Sequence, residues 1–278
     1  MRKRNLHYLK RRYSPHTMEN KKRIIGIIPA RMDSSRFPGK VLEPILGMPM
    51  IGHCYFRTRM CDLFDDVYIA TCDKDIKDYA ESIGAKVVMT ADTHERAMDR
   101  TAEAVANIEK ATGEEIDIVV QMQGDEPMVT KEMLESAIRK MIDDKSINIM
   151  NLVSPISNQR DLEIPDVLKV VTDLNGNMLY YSRALIPYDT KKYKDKVPYI
   201  KTLGVHLFRK DFLFEFHNME PTPLEIIEST DMLRILENGM RIATFLTETP
   251  IWSVDTKADL EFVEKKMTED PLVKTYVK

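Results

Sequence analysis

Ile116-Asp117-Ile118-Val119-Val120-Gln121-Met122 runs directly into Gln123-Gly124-Asp125-Glu126-Pro127, and this stretch decides the fold. A near-continuous apolar run with no alternating polar face is a strand covered on both sides, as parallel sheets require. The same composition recurs upstream at Ile24-Ile25-Gly26-Ile27-Ile28, at Val67-Tyr68-Ile69-Ala70-Thr71 and at Lys86-Val87-Val88-Met89. Helical segments fall between them: one opened by Pro49 and running to about Met60, one over about 75–82 and stopped by Gly84, and one over about 100–110. Strand and helix in alternation predict an α/β, doubly wound and mostly parallel sheet of Rossmann-like type. Ligands of such sheets bind beyond the C-terminal ends of the strands. Asp125 and Glu126 sit at that place.

The second half is richer in strand signals: 147–153, 167–172 and 178–182, with Leu174-Asn175-Gly176-Asn177 as a hairpin turn. A helix is expected from Thr222 to Asn238-Gly239, with Thr222 as N-cap, Pro223 at the first helical position and Glu225 completing a capping box. A strand over 241–247 and a last helix over about 257–267 follow. No repeat or low-complexity linker divides the chain. The expectation is one domain over residues 23–278, with a β-rich insertion near 150–210.

Charge is unevenly placed. Residues 1–23 hold nine Lys or Arg against Glu19, +8 in all, so of the net −3 the remainder carries −11. An acidic body argues against non-specific nucleic-acid binding. The basic extension, residues 1–22, has no apolar segment and reads as a disordered tail rather than a secretory signal, with Met18 as an alternative start. No apolar run approaches the roughly 20 residues of a membrane span. Cys54, Cys61 and Cys72 have no ligand spacing, which suggests a reducing compartment and a cytoplasmic protein.

The strand Ile24–Ile28 leads into Pro29-Ala30-Arg31, then Ser34-Ser35-Arg36-Phe37-Pro38-Gly39-Lys40. A glycine-containing βα turn can direct backbone N–H groups at phosphate, and Arg31, Arg36 and Lys40 add donors that can follow charge onto a leaving pyrophosphate. Neither the Walker A pattern nor a G-x-G-x-x-G dinucleotide fingerprint is present. Asp125 and Glu126, ending a buried strand, are magnesium ligands or partners of a nearby cation. Asp255, after Ile251-Trp252-Ser253-Val254, is a second metal candidate. An Asp before a helix is ordinarily an N-cap, but Thr256 with Asp259 can supply that cap and leave Asp255 free. Cations for a polyphosphate facing carboxylates for its magnesium are the equipment of nucleotidyl transfer.

The run Ile28-Pro29-Ala30-Arg31 … Ser35-Arg36-Phe37-Pro38-Gly39-Lys40 resembles the I-P-A-R-x-x-S-x-R-x-P-G-K signature of sugar-acid cytidylyltransferases, most of all those acting on 3-deoxy-manno-octulosonate (Kdo), the CMP-Kdo synthetases. Gln123–Pro127, Lys169-Val170-Val171, Tyr181–Pro187, Pro223-Leu224-Glu225, Leu233-Arg234 and Val254-Asp255-Thr256 match in the same order, so the likeness spans about residues 24–265. It implies a nucleotide-diphospho-sugar transferase-like fold, and attack of an acceptor hydroxyl on the α-phosphate of CTP with loss of pyrophosphate. By the same resemblance, Asp125 and Asp255 hold Mg2+, while Lys40, Arg36 and Asp125 carry the catalysis. Pro29, Ala30, Arg31, Arg100, Gln123 and Gly124 then face the nucleotide. A homodimer, with the β-rich insertion supplying contact, is implied as well.

Three departures fall around the acceptor. The family's H-x-S-G-T-[DE]-R is His94-Glu95-Arg96-Ala97-Met98-Asp99-Arg100 here; R-H-L-G-[IV]-Y is Lys201-Thr202-Leu203-Gly204-Val205-His206; E-Q-L-R is Asp231-Met232-Leu233-Arg234. Unmatched buried polar groups cost about 1–3 kcal/mol each, so such changes select against the original ligand. The expectation is an acidic acceptor other than Kdo itself, a modified ulosonic acid or a smaller carboxylate, phosphate or phosphonate. Arg183 and Arg96 would supply anion contacts, with Thr202, His206 and Asp231 around them. Met98 and Met232 read equally well as packing residues. Use of another nucleotide, or a non-catalytic nucleotide-binding relative, are the alternatives.

Overall fold

The computed structural model describes residues 22–34, 36–190, 199–248 and 250–277. The basic extension up to residue 21, and Ser35 of the first loop, lie outside the described residues. The strand Ile24–Pro29 (β1) is buried at every position, as its unbroken apolar sequence requires. It leads through the Pro-Gly-Lys loop to a short hairpin of Pro44–Ile45 (β2) and Met48–Pro49 (β3), and to the helix Met50–Arg59 (α1). Three more units follow: Asp66–Thr71 (β4) and Lys74–Ser82 (α2), Lys86–Met89 (β5) and Ala97–Thr112 (α3), Ile118–Met122 (β6) and Lys131–Asp143 (α4). The second half comprises Ile149–Pro155 (β7), Gln159–Glu163 (α5), Lys169–Thr172 (β8), Met178–Ser182 (β9), Ile200–Arg209 (β10), Lys210–His217 (α6), Pro223–Glu228 (α7), Leu233–Glu237 (α8), Ala243–Leu246 (β11) and Lys257–Thr268 (α9).

The sheet runs β11-β7-β10-β6-β1-β4-β5. Strands β6, β1, β4 and β5 pair in parallel, and β11 is parallel to β7. Strand β10 is antiparallel to both β6 and β7 and makes the sheet mixed. The segment 150–210, expected as an insertion, therefore gives β7 and β10 to the central sheet itself. Only β8 and β9 lie off that path, as the expected hairpin over the Leu174–Asn177 turn, paired onto β10 through Ile200 and Lys201. Two apolar layers cover the sheet faces: α1, α2 and α4 on one, α3, α6 and α8 on the other.

Three features differ from expectation. The helix α3 starts at Ala97 rather than near Arg100, because Arg96 is the extended residue before it. The helix expected over 222–239 is two short ones. Ser229 adopts a left-handed conformation (φ 52°), and Thr230 N–H returns to the carbonyl of Glu225. Helix α4 is not among the expected elements, although Thr130 is its N-cap, bonded by Met133 N–H, and Met133, Leu134, Ala137, Ile138 and Met141 are buried at helical spacing. Among the described residues no helix is long and apolar enough to cross a membrane.

Candidate active site

Strands β1 and β6 are parallel neighbours, and the loops beyond their C-terminal ends meet. From β1 the loop turns at Gly39, whose φ of +74° suits glycine, and delivers Lys40 into a single 3-10 turn. The Lys40 ammonium, 9 % exposed, donates to Asp125 Oδ2 at 2.6 Å, to Asp255 Oδ1 at 3.0 Å and to the Val254 carbonyl at 3.0 Å. Arg36 reaches Asp255 Oδ1 at 2.9 Å and Asp166 Oδ1 at 2.5 Å. Burial alone would depress the Lys40 pKa, but the two carboxylates outweigh it and hold it above the ordinary lysine value. Asp255 is raised, first by burial and then by the charge of Asp125, with Lys40 and Arg36 pulling the other way.

Asp255 is not spent on the helix behind it. Thr256 Oγ1 accepts Asp259 N–H at 3.2 Å, and Asp259 Oδ2 accepts Thr256 N–H at 2.9 Å, a complete capping box. Glu126 turns away from Lys40. Its Oε1 accepts Gly204 N–H at 2.6 Å and Ser253 Oγ–H at 2.7 Å, and burial beside Asp125 pushes its carboxyl up to about 7. The carboxylate partner of Asp125 is thus Asp255, not its neighbour in sequence. Asp125 Oδ1 is buried with no hydrogen-bond partner. Two converging carboxylates with an open oxygen fit Mg2+, which keeps most of its shell for water and phosphate. Among the described residues no cluster of three or more metal-ligating side chains exists.

Two cavities open from this point. One, of about 270 Å3, is lined by Pro29, Ala30, Arg31, Arg100, Gln123 and Gly124 among others. Arg31 donates to the His94 carbonyl at 3.4 Å. Arg100 is buried and donates to Thr90 Oγ1 and the Ala91 carbonyl, so it braces the wall formed by residues 90–94. The larger cavity, of about 880 Å3, contains Arg183, Thr202, His206 and Asp231. Both are lined by Arg36, Lys40, Gln123 and Asp125, so the cation and carboxylates stand at their junction. Gly204 is required there, because a Cβ would lie 2.9 Å from the Gln123 side chain.

The larger cavity differs from expectation at one position. Arg96 lines both cavities, but without ligand its guanidinium pairs with Glu225 instead of standing free. Glu225 is fully buried and also receives Arg234 through two bonds of 2.7 Å. Arg183 is fixed at the end of β9 by the carbonyls of Glu228 (2.7 Å) and Pro165 (3.2 Å), and lies 3.5 Å from Asp166. His206, 8 % exposed, stands between Asn151 and Gln121 on neighbouring strands. Its Nδ1 has no partner, and burial pushes its pKa down to about 4, so the ring is neutral. Between Thr202 and His206 the β10–β7 register slips, and Asn151 Nδ2 bonds the freed carbonyls of Leu203 and Val205 at 2.9 and 3.0 Å. Burial raises Asp231, opposed by Arg96 and Arg234. Asp166, which links Arg36 to Arg183, and the buried pair Lys201–Asp161 (2.9 Å) carry no local sequence signal, because their partners are remote in the chain.

A cation-bearing loop after β1, one carboxylate beyond β6 and a second from the segment before α9 define the class: a nucleotidyltransferase of Rossmann-like fold. The chain belongs to the cytidylyltransferase family, whose model matches residues 25–242. It is 40% identical over 255 residues to the 3-deoxy-manno-octulosonate cytidylyltransferase of Geobacter metallireducens, covering 88% of this chain and 98% of that protein. To the enzyme of the same description from Pelobacter propionicus it is 42% identical over 246 residues, 85% of this chain and 94% of that one. Among solved structures it superposes on a CMP:2-keto-3-deoxy-manno-octonic acid synthetase complexed with CTP with a TM-score of 0.80 at 33% identity, over 90% of this chain and all of that one. A glucose-1-phosphate thymidylyltransferase-like structure from Bacillus anthracis, at 15% identity and a TM-score of 0.61, shares the fold.

Proposed function

We propose that this cytidylyltransferase moves the cytidylyl group of CTP onto a hydroxyl of a 2-ulosonic acid of the 3-deoxy-manno-octulosonate type. The observation that carries the reading is the junction itself, where Lys40 bridges Asp125 and Asp255 between two cavities that share Arg36, Gln123 and Asp125. The acceptor oxygen bonds to the α-phosphorus as the bond to the β-phosphate oxygen breaks, and the hydroxyl proton leaves to water. Lys40 and Arg36 lie where they can leave their carboxylates for the triphosphate oxygens, and Arg31 lies along the same wall. Positioning and fixed charge supply most of the rate in such transfers. Asp125 and Asp255 would hold Mg2+, which lends positive charge to the phosphates and acidity to a bound hydroxyl. Pro29, Ala30, Gln123 and Gly124 form the floor under the nucleotide, and Arg183 faces the acceptor's carboxylate.

A second reading of the acceptor rests on Thr202, His206 and Met232, which stand in the larger cavity in place of the family's residues and favour a modified ulosonic acid over Kdo. Comparing kcat/KM for Kdo and for altered ulosonic acids decides between the two. A homodimer is supported by exposed Leu179 on β9 and by Ile226 and Ile227 on α7. Those elements are joined by the bonds of Glu228 to Tyr180 and Ser182. A need for CTP supports a cytoplasmic location. The direct test is pyrophosphate release from CTP and Mg2+ with each acid in turn.

A further inference from the structure

Asp125 and Asp255 come from distant segments and repel one another. Without ligand both lean on Lys40, and Asp255 also on Arg36. These are the cations assigned above to the triphosphate. Once they turn to phosphate, the side-chain partners that fix Asp255 are lost, and its position depends on what holds its backbone. In front, Val254 N–H bonds the Asp125 carbonyl at 3.0 Å. A second tie lies behind the site.

Arg57 of α1 is among the largest fully buried side chains. Its NH1 approaches the carbonyl of Met128, three residues past Asp125, at 3.5 Å. Its NH2 meets Asp270 Oδ2 at 2.5 Å, and its Nε–H donates to Tyr276 Oη at 3.0 Å. Asp270 follows α9, the helix that begins directly after Asp255 and its cap. Tyr276 Oη also lies 2.9 Å from His53 Nδ1, and His53 Nε2 lies 2.8 Å from the Ile45 carbonyl. The directions are consistent throughout: Arg57 donates to the phenol, the phenol to Nδ1, and Nε2–H to the carbonyl. The Tyr276 ring stacks on Phe56 at 5.7 Å. Val254, Val263, Met267 and Val273 pack with Ile45 and Met50 into a separate small core beneath these contacts.

One guanidinium therefore contacts the segments that bear both carboxylates. We infer that Arg57 and the C-terminal segment Asp270–Tyr276 form a clasp that keeps Asp255 in register with Asp125 when Lys40 and Arg36 are engaged by phosphate. Arg57 and Tyr276 are positioning residues. The inference rests on the reading of Asp125 and Asp255 as holders of Mg2+.

The test measures the gain in CTP affinity that Mg2+ confers, as the ratio of Kd in EDTA to Kd in Mg2+, without acceptor. Calorimetry gives the values, and the emission of Trp252, the sole tryptophan and three residues before Asp255, reports the placement of that segment. Tyr276→Phe keeps the stacking and removes the hydroxyl; a chain ending at Val273 removes the clasp's outer half. Loss of about one buried hydrogen bond's worth of restraint predicts a ratio lower by roughly five- to tenfold in Tyr276→Phe, with Kd in EDTA unchanged. The truncated chain should fall at least as far, with altered Trp252 emission. An unchanged ratio in both variants, even with a lower melting temperature, overturns the clasp and leaves these residues a purely structural role. A wild-type ratio that Asp255→Asn does not reduce overturns the metal reading, and the clasp with it.

Discussion

Lys40, Asp125 and Asp255 form one bonded cluster, and under the proposed function each should be indispensable without being structural. Lys40→Ala should cost roughly 10²- to 10³-fold or more in turnover, the scale of one lost charge-stabilising donor. Asp125→Asn and Asp255→Asn should each lower turnover by orders of magnitude while circular dichroism and melting stay near wild type. Near-normal activity in Asp255→Asn would remove that residue from the mechanism. His206 offers a pH test. Its folded pKa of about 4 lies below the unfolded value near 6.5, so above pH 6.5 the residue contributes nothing to pH dependence. As pH falls from 6.5 to 4 the unfolded chain gains a proton that the folded chain refuses, and stability drops by about 3 kcal/mol. Urea melts of wild type and His206→Asn across that window should diverge on the acid side; parallel curves would contradict this. The sequence made Lys40, Asp125 and Asp255 legible because each closes or follows a recognisable strand or cap. The directions of Arg96 and Glu126 were not legible, since the partners that turn them, Glu225 for one and Gly204 and Ser253 for the other, come from other parts of the chain.

At the scale of elements, the acceptor wall depends on how α3, α7 and α8 are tied together. Glu225 does this with Arg96 and Arg234; Glu225 and Arg234 are buried and Arg96 is partly exposed. Glu225→Ala leaves two guanidiniums without their carboxylate and should destabilise the fold by about 3–5 kcal/mol. Glu225→Gln should cost less, because its one amide oxygen still accepts from a guanidinium although the other position becomes a donor. Equal, small losses in denaturant melts for both would show the pair to be peripheral. Apolar periodicity found the parallel strands and most helices, because burial on both faces writes itself into composition. It missed the break between α7 and α8, where Ser229 takes a left-handed turn that no glycine announces. Strand β10 escaped as a central strand because its buried polar residues, Lys201 and His206, interrupt the apolar pattern for the sake of the cavity.

At the scale of the molecule, a sheet that brings the ends of β1 and β6 together, with β10 beside them, sets two cavities on either side of one cation. Exposed Leu179, Ile226 and Ile227 give the molecule apolar surface suited to a second copy. Sedimentation should find twice the 32.2 kDa chain mass, and Ile227→Asp should shift it towards monomer; a wild-type monomer at micromolar concentration would contradict the dimer. The central claim concerns chemistry and is tested by pyrophosphate release from CTP and Mg2+ across a panel of 2-ulosonic acids, Kdo included, for wild type beside Asp125→Asn. Release by wild type with at least one of these acids, abolished in Asp125→Asn, is the result this account predicts. No release with any acid, or equal release by the variant, would contradict it.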